Sequence, residues 1–451
     1  MYTVKTMNNI SGVIEETLKA PLYRVGPEET EYQALMIRSA DLHGADFPKE
    51  LLAIARAGAG VNNVPVEECT EKGIVVFNTP GANANAVKEM VLCGMLLSCR
   101  KTVEGIEWVK QTHEKGETGI GKLAEKAKKQ FVGPELAGKK LGVVGLGAIG
   151  VLVANAAVNG LSMHVVGYDP YLSVEGALRL SRSVELTHDL DALFRECDYV
   201  TLHLPLNDQT RGMVNEKVIA SMKDGAVILN FARGGLVEDE AVLKAVKSGK
   251  LRCYVTDFAD DEIAGQEGVI VTPHLGASTP ESEENCAIMA AHEIDDYLKN
   301  GNITHSVNLP DCTLPRMEGC RVTVINRNVA NMVGQMTAVL AAEGLNIENM
   351  LNKSRGAYAY TIFDLSDAPG EEAVEKLQAI EGVLRIRVLA LGQRKKSGCA
   401  AWGCRCRTFC FRHPMSPRRL LRWWPAISIP PNRPIGSKPG AWWGRLPRRC
   451  T

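Results

Sequence analysis

Leu141–Ala157, LGVVGLGAIGVLVANAA, runs from an apolar strand-like segment through three glycines into a second apolar run with a different period. Gly145, Gly147 and Gly150 stand in G-x-G-x-x-G spacing, directly after the strand-like residues and at the start of the helical ones. Each answers a different steric demand. Gly145 permits a tight turn, Gly147 lets backbone approach a pyrophosphate at a helix N-terminus, and Gly150 lets that helix pack closely on the sheet. The spacing gains force from the acid that follows it. Asp169 lies 24 residues beyond Gly145 at the end of MHVVGYD, where a carboxylate can accept hydrogen bonds from an adenosine ribose and repel a 2′-phosphate. NAD, rather than NADP, is the expected cofactor.

Further runs of the same kind follow: CDYVTLHL, GAVILNFA, CYVTDFA and GVIVTPHLG. Near-continuous β-branched runs separated by helix-period segments predict a parallel α/β sheet buried on both faces, with ligands beyond the carboxyl ends of its strands. Upstream, ALMIRSA, LLAIARAGAG and GIVVFNTPG predict strands of a second α/β unit, followed by a helical stretch over 86–110. From Gly319 to Leu391 the order strand, helix, strand, strand, helix, strand predicts a ferredoxin-like unit.

Bulk composition bounds the class without naming a function. A chain of 451 residues exceeds what one core usually serves, and 45% hydrophobic with 23% charged residues is ordinary for globular proteins. No stretch is long and apolar enough for a membrane span and no leader pattern opens the chain, so a cytoplasmic location is expected. Eight of the 13 cysteines are scattered through the first 390 residues without paired spacing, as reduced core thiols would be. The formal neutrality hides a division. Ser397–Thr451 holds ten Arg, one Lys and no acid, leaving 41 basic against 52 acidic residues in Met1–Lys396. An acidic body gives no reason to expect nucleic-acid binding.

Three residues at the ends of later strands have the types that hydride chemistry needs: Arg233 in NFARGGLVEDE, Glu262 in VTDFADDE and His274 in TPHLGAST. A hydroxyl carbon gives up hydride only as its proton leaves, and histidine titrates in the range suited to accept that proton. A glutamate beside it would orient the ring and raise its basicity. An arginine can hold a substrate carboxylate with two donors. Taken singly, a histidine is more often structural and an arginine or glutamate more often solvated; joint placement on successive strand ends reverses that.

The segments GLGAIG, GYDP, NFARGGLVEDE, VTDFADDE and TPHLGAST, in this order, resemble the D-2-hydroxyacid dehydrogenases, in particular the branch that oxidises 3-phosphoglycerate, over residues 3–391. The resemblance implies a Rossmann-type doubly wound sheet inserted in a flavodoxin-like substrate domain, plus a C-terminal ferredoxin-like (ACT) domain. It assigns 1–92 and 282–312 to the substrate domain, 93–281 to the NAD domain and 317–393 to the regulatory domain. It makes Arg233, Glu262 and His274 catalytic. Cofactor contacts are expected from Gly145, Gly147, Ala148, Ile149, Gly150, Asp169, Pro205, Phe231, Ala232, Arg233, Asp257, His274 and Gly276, and substrate contacts from Arg38, Ser39, Arg56, Gly58 and Asn83. No metal is expected, and a homo-oligomer is.

The expected reaction is oxidation of 3-phospho-D-glycerate to 3-phosphohydroxypyruvate in serine synthesis, with 2-oxoglutarate reduction as a further activity. The alternatives are a glyoxylate or hydroxypyruvate reductase within the family and an NAD-sensing binding module outside catalysis. Departures from the family pattern are Ala148 where many relatives carry arginine, Ala59 where some carry threonine, FADDE in place of F-x-x-E-P, and a short loop from Glu262 to His274. In the ACT-like unit Asn328 and Asn346 match positions that bind serine in regulated relatives, while Asn326 and Asn331 replace a family histidine and glycine. Beyond Leu391 the resemblance stops. Residues 394–451 are expected to be a disordered, non-native tail; C-x4-C-x-C-x3-C over Cys399, Cys404, Cys406 and Cys410, with His413, lacks the spacing of common zinc sites.

Overall fold

Near-continuous apolar runs bounded by glycine and polar residues become strands here because their side chains can be buried on both faces at once. A computed structural model describes residues 1–317 and 319–390. Expectations for residues beyond 390, the tail and the discounted cysteine cluster included, lie outside the described residues.

The first sheet contains β1 (Tyr2–Thr6), β2 (Tyr23–Gly26), β3 (Ala34–Ile37), β4 (Ala53–Arg56) and β5 (Val75–Asn78), all parallel in the order β2-β1-β3-β4-β5. This is the flavodoxin-like order. Three of these strands were legible as apolar runs. YTVKT and YRVG were not, because they are short, half polar and at or near the sheet edge.

The second sheet is built from β6 (Lys140–Val144), β7 (His164–Tyr168), β8 (Val184–Leu186), β9 (Tyr199–Leu202), β10 (Ala226–Asn230), β11 (Leu251–Thr256) and β12 (Val269–Val271). Its order is β12-β11-β10-β9-β6-β7-β8, again parallel throughout. The chain reverses its direction of winding between β6 and β9. In such sheets ligands bind at that switch point, beyond the strands' carboxyl ends.

Two helices join the sheets. Ala84–Cys99 buries Val87, Val91 and Met95 in the core of the second sheet, and Pro280–Asn300 buries Ala287, Ala290, Ile294 and Tyr297 against the first. Burial of each valine or isoleucine contributes about 1.5–3 kcal/mol. Gly94 brings the first of these helices close to the sheet: a Cβ there would sit 3.1 Å from the Phe231 ring and from Val255. The helical stretch expected over 86–110 is two helices, Ala84–Cys99 and Thr102–Glu114, broken where Arg100 turns extended at φ −131° and ψ 151°.

The third sheet is antiparallel: β13 (Cys320–Arg327), β14 (Ile347–Arg355), β15 (Tyr358–Leu365) and β16 (Val383–Ala390), in the order β14-β15-β13-β16. Helices Met332–Ala342 and Glu371–Gln378 cover one face over Val322, Val324 and Phe363. The other face brings Ile325, Tyr360 and Ile362 into the core of the first sheet. Arg387 donates to the carbonyls of Tyr297 and Leu298 at 3.0 and 2.9 Å, and Tyr360 to that of Gly301 at 2.7 Å, so the sheet caps the C-terminal end of Pro280–Asn300. The last carbonyls of a helix run short of intrahelical donors; that of Tyr297 also accepts the C-cap amide of Gly301 at 2.9 Å.

Asn328 follows the Arg327–Tyr358 pair at one end of the sheet, whereas Asn346 precedes the Ile347–Leu365 pair at the other. The two asparagines are a strand's length apart within one chain. Each is exposed and engaged locally, Asn328 with the Gly356 carbonyl at 3.1 Å and Asn346 with Glu348 at 2.7 Å. Among the described residues no helix is long and apolar enough to cross a membrane.

Candidate active site

The glycine-rich turn after β6 has the geometry its spacing predicts. Gly145 takes φ 95°, and a Cβ there would strike the carbonyl of His203 at the end of β9, across the switch point. At Gly150 a Cβ would strike the Gly145 carbonyl. Gly147 differs: nothing lies within 4 Å of where its Cβ would be. Two glycines are thus demanded by the protein's own packing, and the third faces open space. Helix Ala148–Leu161 starts there with no side-chain cap, so the first-turn amides of Ala148, Ile149 and Gly150 are free for an anion. Asp169 is tied to the same turn, accepting the Leu146 amide at 2.8 Å with Oδ2 and the Tyr171 amide at 2.8 Å with Oδ1. A carboxylate keeps acceptor sites beyond those two. Pro205 stands in the exposed loop after β9. Two residues before it, His203 Nε2 lies 3.0 Å from Thr201 Oγ1 while Nδ1 is buried without a partner, and burial pushes the imidazole down to about 3. This set fits a dinucleotide.

Three of the expected cofactor contacts are buried in the fold. The Phe231 side chain is packed inside against Gly94 and is only 5% exposed. Asp257 is 1% exposed, and its carboxylate accepts from Thr272 Oγ1 at 2.5 Å, the Leu275 amide at 2.8 Å and the Gly276 amide at 2.7 Å. Gly276 is buried with it. Asp257 and Gly276 therefore build the turn that carries His274; the resemblance implied only that they touch the cofactor.

That turn holds His274 at φ 56°, a left-handed conformation uncommon outside glycine and costly unless its surroundings enforce it. The His274 amide donates to the Asp257 and Thr272 carbonyls, both at 3.0 Å, and its own carbonyl accepts from Ser278 Oγ at 3.2 Å. The ring is exposed to the cleft and meets Phe258 edge-on at 5.2 Å. Glu262 is not its partner: among the described residues no hydrogen bond or ion pair joins the two. The Glu262 amide is gathered at 2.9 Å by Asp260, which starts the intervening turn, and its carboxylate lies in an acidic group with Asp260 and Asp239. Burial first, then the charges of Asp260 and Glu262, push Asp239 up to about 6. The short loop between Glu262 and His274 separates what spacing alone had paired.

Arg233 leaves β10 through a turn that sequence reading had not explained. Asn230, 1% exposed, accepts the Ala232 amide at 3.2 Å and donates to the Arg233 carbonyl at 2.8 Å. The signal for it was an asparagine closing a wholly buried strand, a residue that must be hydrogen-bonded. Arg233 itself is exposed, with Nη1 donating to the Ala232 carbonyl at 2.7 Å and the guanidinium 3.7 Å from where a Gly60 Cβ would be.

From the first sheet come Arg38, Arg56, Gly58 and Asn83, which line one cavity of about 160 Å3 together with His274, Ser278, Ser282, Glu283 and Cys286. Gly58 is required there, since a side chain would occupy the place of the Arg56 guanidinium. Burial holds Arg56 below the ordinary guanidinium value; Cys286 opposes it, and the charges of Arg38 and Arg233 add smaller lowering effects. Asn83 begins helix Ala84–Cys99 without capping it, which leaves its amide free. Ser39 is not part of this cavity: it lies with Asn8 and Asn9 around a separate hollow, and Asn8 accepts its amide at 3.2 Å. Ser282, Glu283 and Cys286 were missed. Their signal was the capping pattern after His274, in which Thr279 accepts the Ser282 amide at 3.1 Å and so places the helix's first turn against the cleft.

Residues 92–276 match the NAD-binding domain of the D-isomer specific 2-hydroxyacid dehydrogenases. The chain is 38% identical over 269 residues to D-3-phosphoglycerate dehydrogenase of Methanocaldococcus jannaschii, covering 58% of this chain and 48% of that one. It is 38% identical over 292 residues to hydroxypyruvate reductase of Thermotoga maritima, covering 62% and 88%. With D-3-phosphoglycerate dehydrogenase of Haemophilus influenzae it shares 31% over 352 residues, covering 75% and 82%. The chain spans about half the length of the first three curated relatives it matches, all D-3-phosphoglycerate dehydrogenases. Among solved structures, NAD+-bound 3-phosphoglycerate dehydrogenase of Entamoeba histolytica superposes with a TM-score of 0.53 at 26% identity, over 68% of this chain and 98% of that one.

Proposed function

The chain belongs to the D-isomer specific 2-hydroxyacid dehydrogenases, and from that premise we propose that it oxidises the C2 hydroxyl of 3-phospho-D-glycerate to 3-phosphohydroxypyruvate. One observation carries the substrate assignment: two arginines of the first sheet, Arg38 and Arg56, line the same cavity as His274 of the second. A substrate with an anionic group at each end and a hydroxyl between them matches that spacing of charge and base.

NAD, held by the Gly145–Gly150 turn, the amides of Ala148 and Ile149, and Asp169, supplies the hydride acceptor when bound. The chain's own residues do the rest. Arg233 takes the carboxylate through its guanidinium fork and so orients C2. Arg38 and Arg56 take the phosphate, and Asn83 offers an amide between them and the base. His274 accepts the hydroxyl proton, and its ring is aimed by a backbone turn anchored on Asp257 instead of by a carboxylate partner. Closure of the first sheet on the second would exclude water from this arrangement.

A second reading, reduction of hydroxypyruvate, is supported by the Thermotoga maritima relative, most of whose length the chain covers. NADH formation with 3-phosphoglycerate, compared with D-glycerate and D-lactate, separates the two. The phosphorylated substrate is expected to give the highest kcat/KM; equal or better turnover of D-glycerate would reject the phosphoglycerate assignment. Replacing His274 by Asn, which tolerates the left-handed backbone, should lower kcat by about 100-fold or more and leave NADH binding intact.

A further inference from the structure

Among the described residues, Arg38 is the one cleft arginine with a carboxylate partner. Its Nη1 lies 2.7 Å from Glu283 Oε1, with the two side chains 37% and 42% exposed. Arg56 spends its Nε on the Arg38 carbonyl at 3.1 Å and Arg233 its Nη1 on the Ala232 carbonyl at 2.7 Å, acceptors that leave the full cationic charge uncancelled. The two partners are placed by separate scaffolds. Asn8 gathers the amides of Ser39 and Ala40 at 3.2 and 2.8 Å behind Arg38, and Thr279 fixes the first turn of the helix that carries Glu283. Both line the cavity that contains His274.

We propose that Glu283 is a displaceable counter-ion that a phosphate end must replace on Arg38, and that its charge thereby limits how tightly the cleft holds that end. The proposal rests on the dehydrogenase reading of the cleft. An ion pair this exposed is weak, so exchanging it costs little. A phosphate brings close to two negative charges and several acceptors, and therefore gains when it takes Arg38 from the carboxylate. A carboxylate end exchanges like for like. An uncharged hydroxymethyl end leaves the pair in place and gains nothing from Arg38. Glu283 repels every anion that enters and the dianion most, so its charge lowers affinity for a phosphate end more than for a hydroxymethyl end.

The test is calorimetric titration of inorganic phosphate at low ionic strength into the intact protein, its E283Q variant and its R38A variant, each checked for an unchanged melting profile. Phosphate should bind E283Q at least about threefold more tightly than the unaltered protein, and R38A should lose the binding. In steady state, KM for 3-phosphoglycerate should fall in E283Q by more than KM for D-glycerate. Phosphate affinity that is unchanged or weaker in E283Q, or absent from all three proteins, overturns the proposal; a weaker affinity would mean that Glu283 braces Arg38 for the ligand. A protein that forms no NADH with any substrate would reject the dehydrogenase reading, and the phosphate titration would still decide the role of Glu283.

Discussion

The amide of Asp257 donates to the carbonyl of Asn230 at 3.1 Å, joining two buried polar residues at the ends of neighbouring strands. Each holds one loop of the candidate site: Asn230 the turn of Arg233, Asp257 the turn of His274. Arg233 and His274, the proposed carboxylate anchor and base, are thus positioned from beneath by one connected polar layer. Buried polar groups fully satisfied in this way fix a single geometry, and they are costly to disturb.

Asp257→Asn puts a donor against donors, because the amide nitrogen must face either the Gly276 amide at Oδ2 or the Thr272 and Leu275 donors at Oδ1 and cannot accept from them. A loss of about 1–3 kcal/mol is expected in urea unfolding, with a fall in kcat as the His274 turn loosens. Unchanged kcat in a destabilised protein would show that the turn does not depend on this anchor.

Asn230→Ala removes both hydrogen bonds to the Arg233 turn and leaves a buried amide and carbonyl without them. If Arg233 holds the substrate carboxylate, KM should rise more than kcat falls, and the rise should be common to all 2-hydroxy acids tested. An effect on stability alone, with KM unmoved, would count against the positioning role.

Gly147→Ala separates cofactor contact from folding. No protein atom lies within 4 Å of the added carbon, so stability should change by no more than about 1 kcal/mol. NADH binding, followed by fluorescence, should weaken by about tenfold, equivalent to about 1.4 kcal/mol. Gly150→Ala, whose Cβ meets the Gly145 carbonyl, should lose stability as well. Undiminished NADH affinity in Gly147→Ala would mean that the cofactor does not approach this backbone.

Glu293 provides a pH dependence away from the cleft. It is 4% exposed and 2.9 Å from His305 Nδ1, and burial, with Asp311 as the lesser cause, pushes it from 4.5 up to about 9. The folded chain therefore holds a proton that the unfolded chain has lost between those values. This contribution to stability is complete below the unfolded value and disappears as pH rises toward about 9. Urea midpoints from pH 5 to 9 should fall less steeply for Glu293→Gln than for the unaltered protein. Parallel slopes would show that Glu293 does not carry the effect.

Much of this was legible in the chain. The glycine spacing with Asp169 located the dinucleotide turn, because φ 95° at Gly145 and the close approach at Gly150 are steric demands that only glycine meets. The apolar runs located six of the seven strands of the second sheet, because burial on both faces leaves a continuous hydrophobic signature. Strands β1 and β2 left no such mark, and neither did the packing of the third sheet onto the first, whose hydrogen bonds from Arg387 and Tyr360 reach residues far away in sequence.

What the sequence determined by itself was the set of chemical types at the strand ends: an arginine, a histidine and acids beside a nucleotide turn. Tertiary structure alone decided which of them meet. Spacing paired Glu262 with His274, yet the loop between them turns Glu262 toward Asp239 and Asp260. The resemblance made Asp257 a cofactor contact, and the fold makes its buried carboxylate the anchor of the His274 turn. Tertiary folding also brought Arg38 and Glu283, far apart in sequence, to 2.7 Å. The reason is physical: residue type fixes what a side chain can donate or accept, but distance and exclusion of water decide which partner it finds.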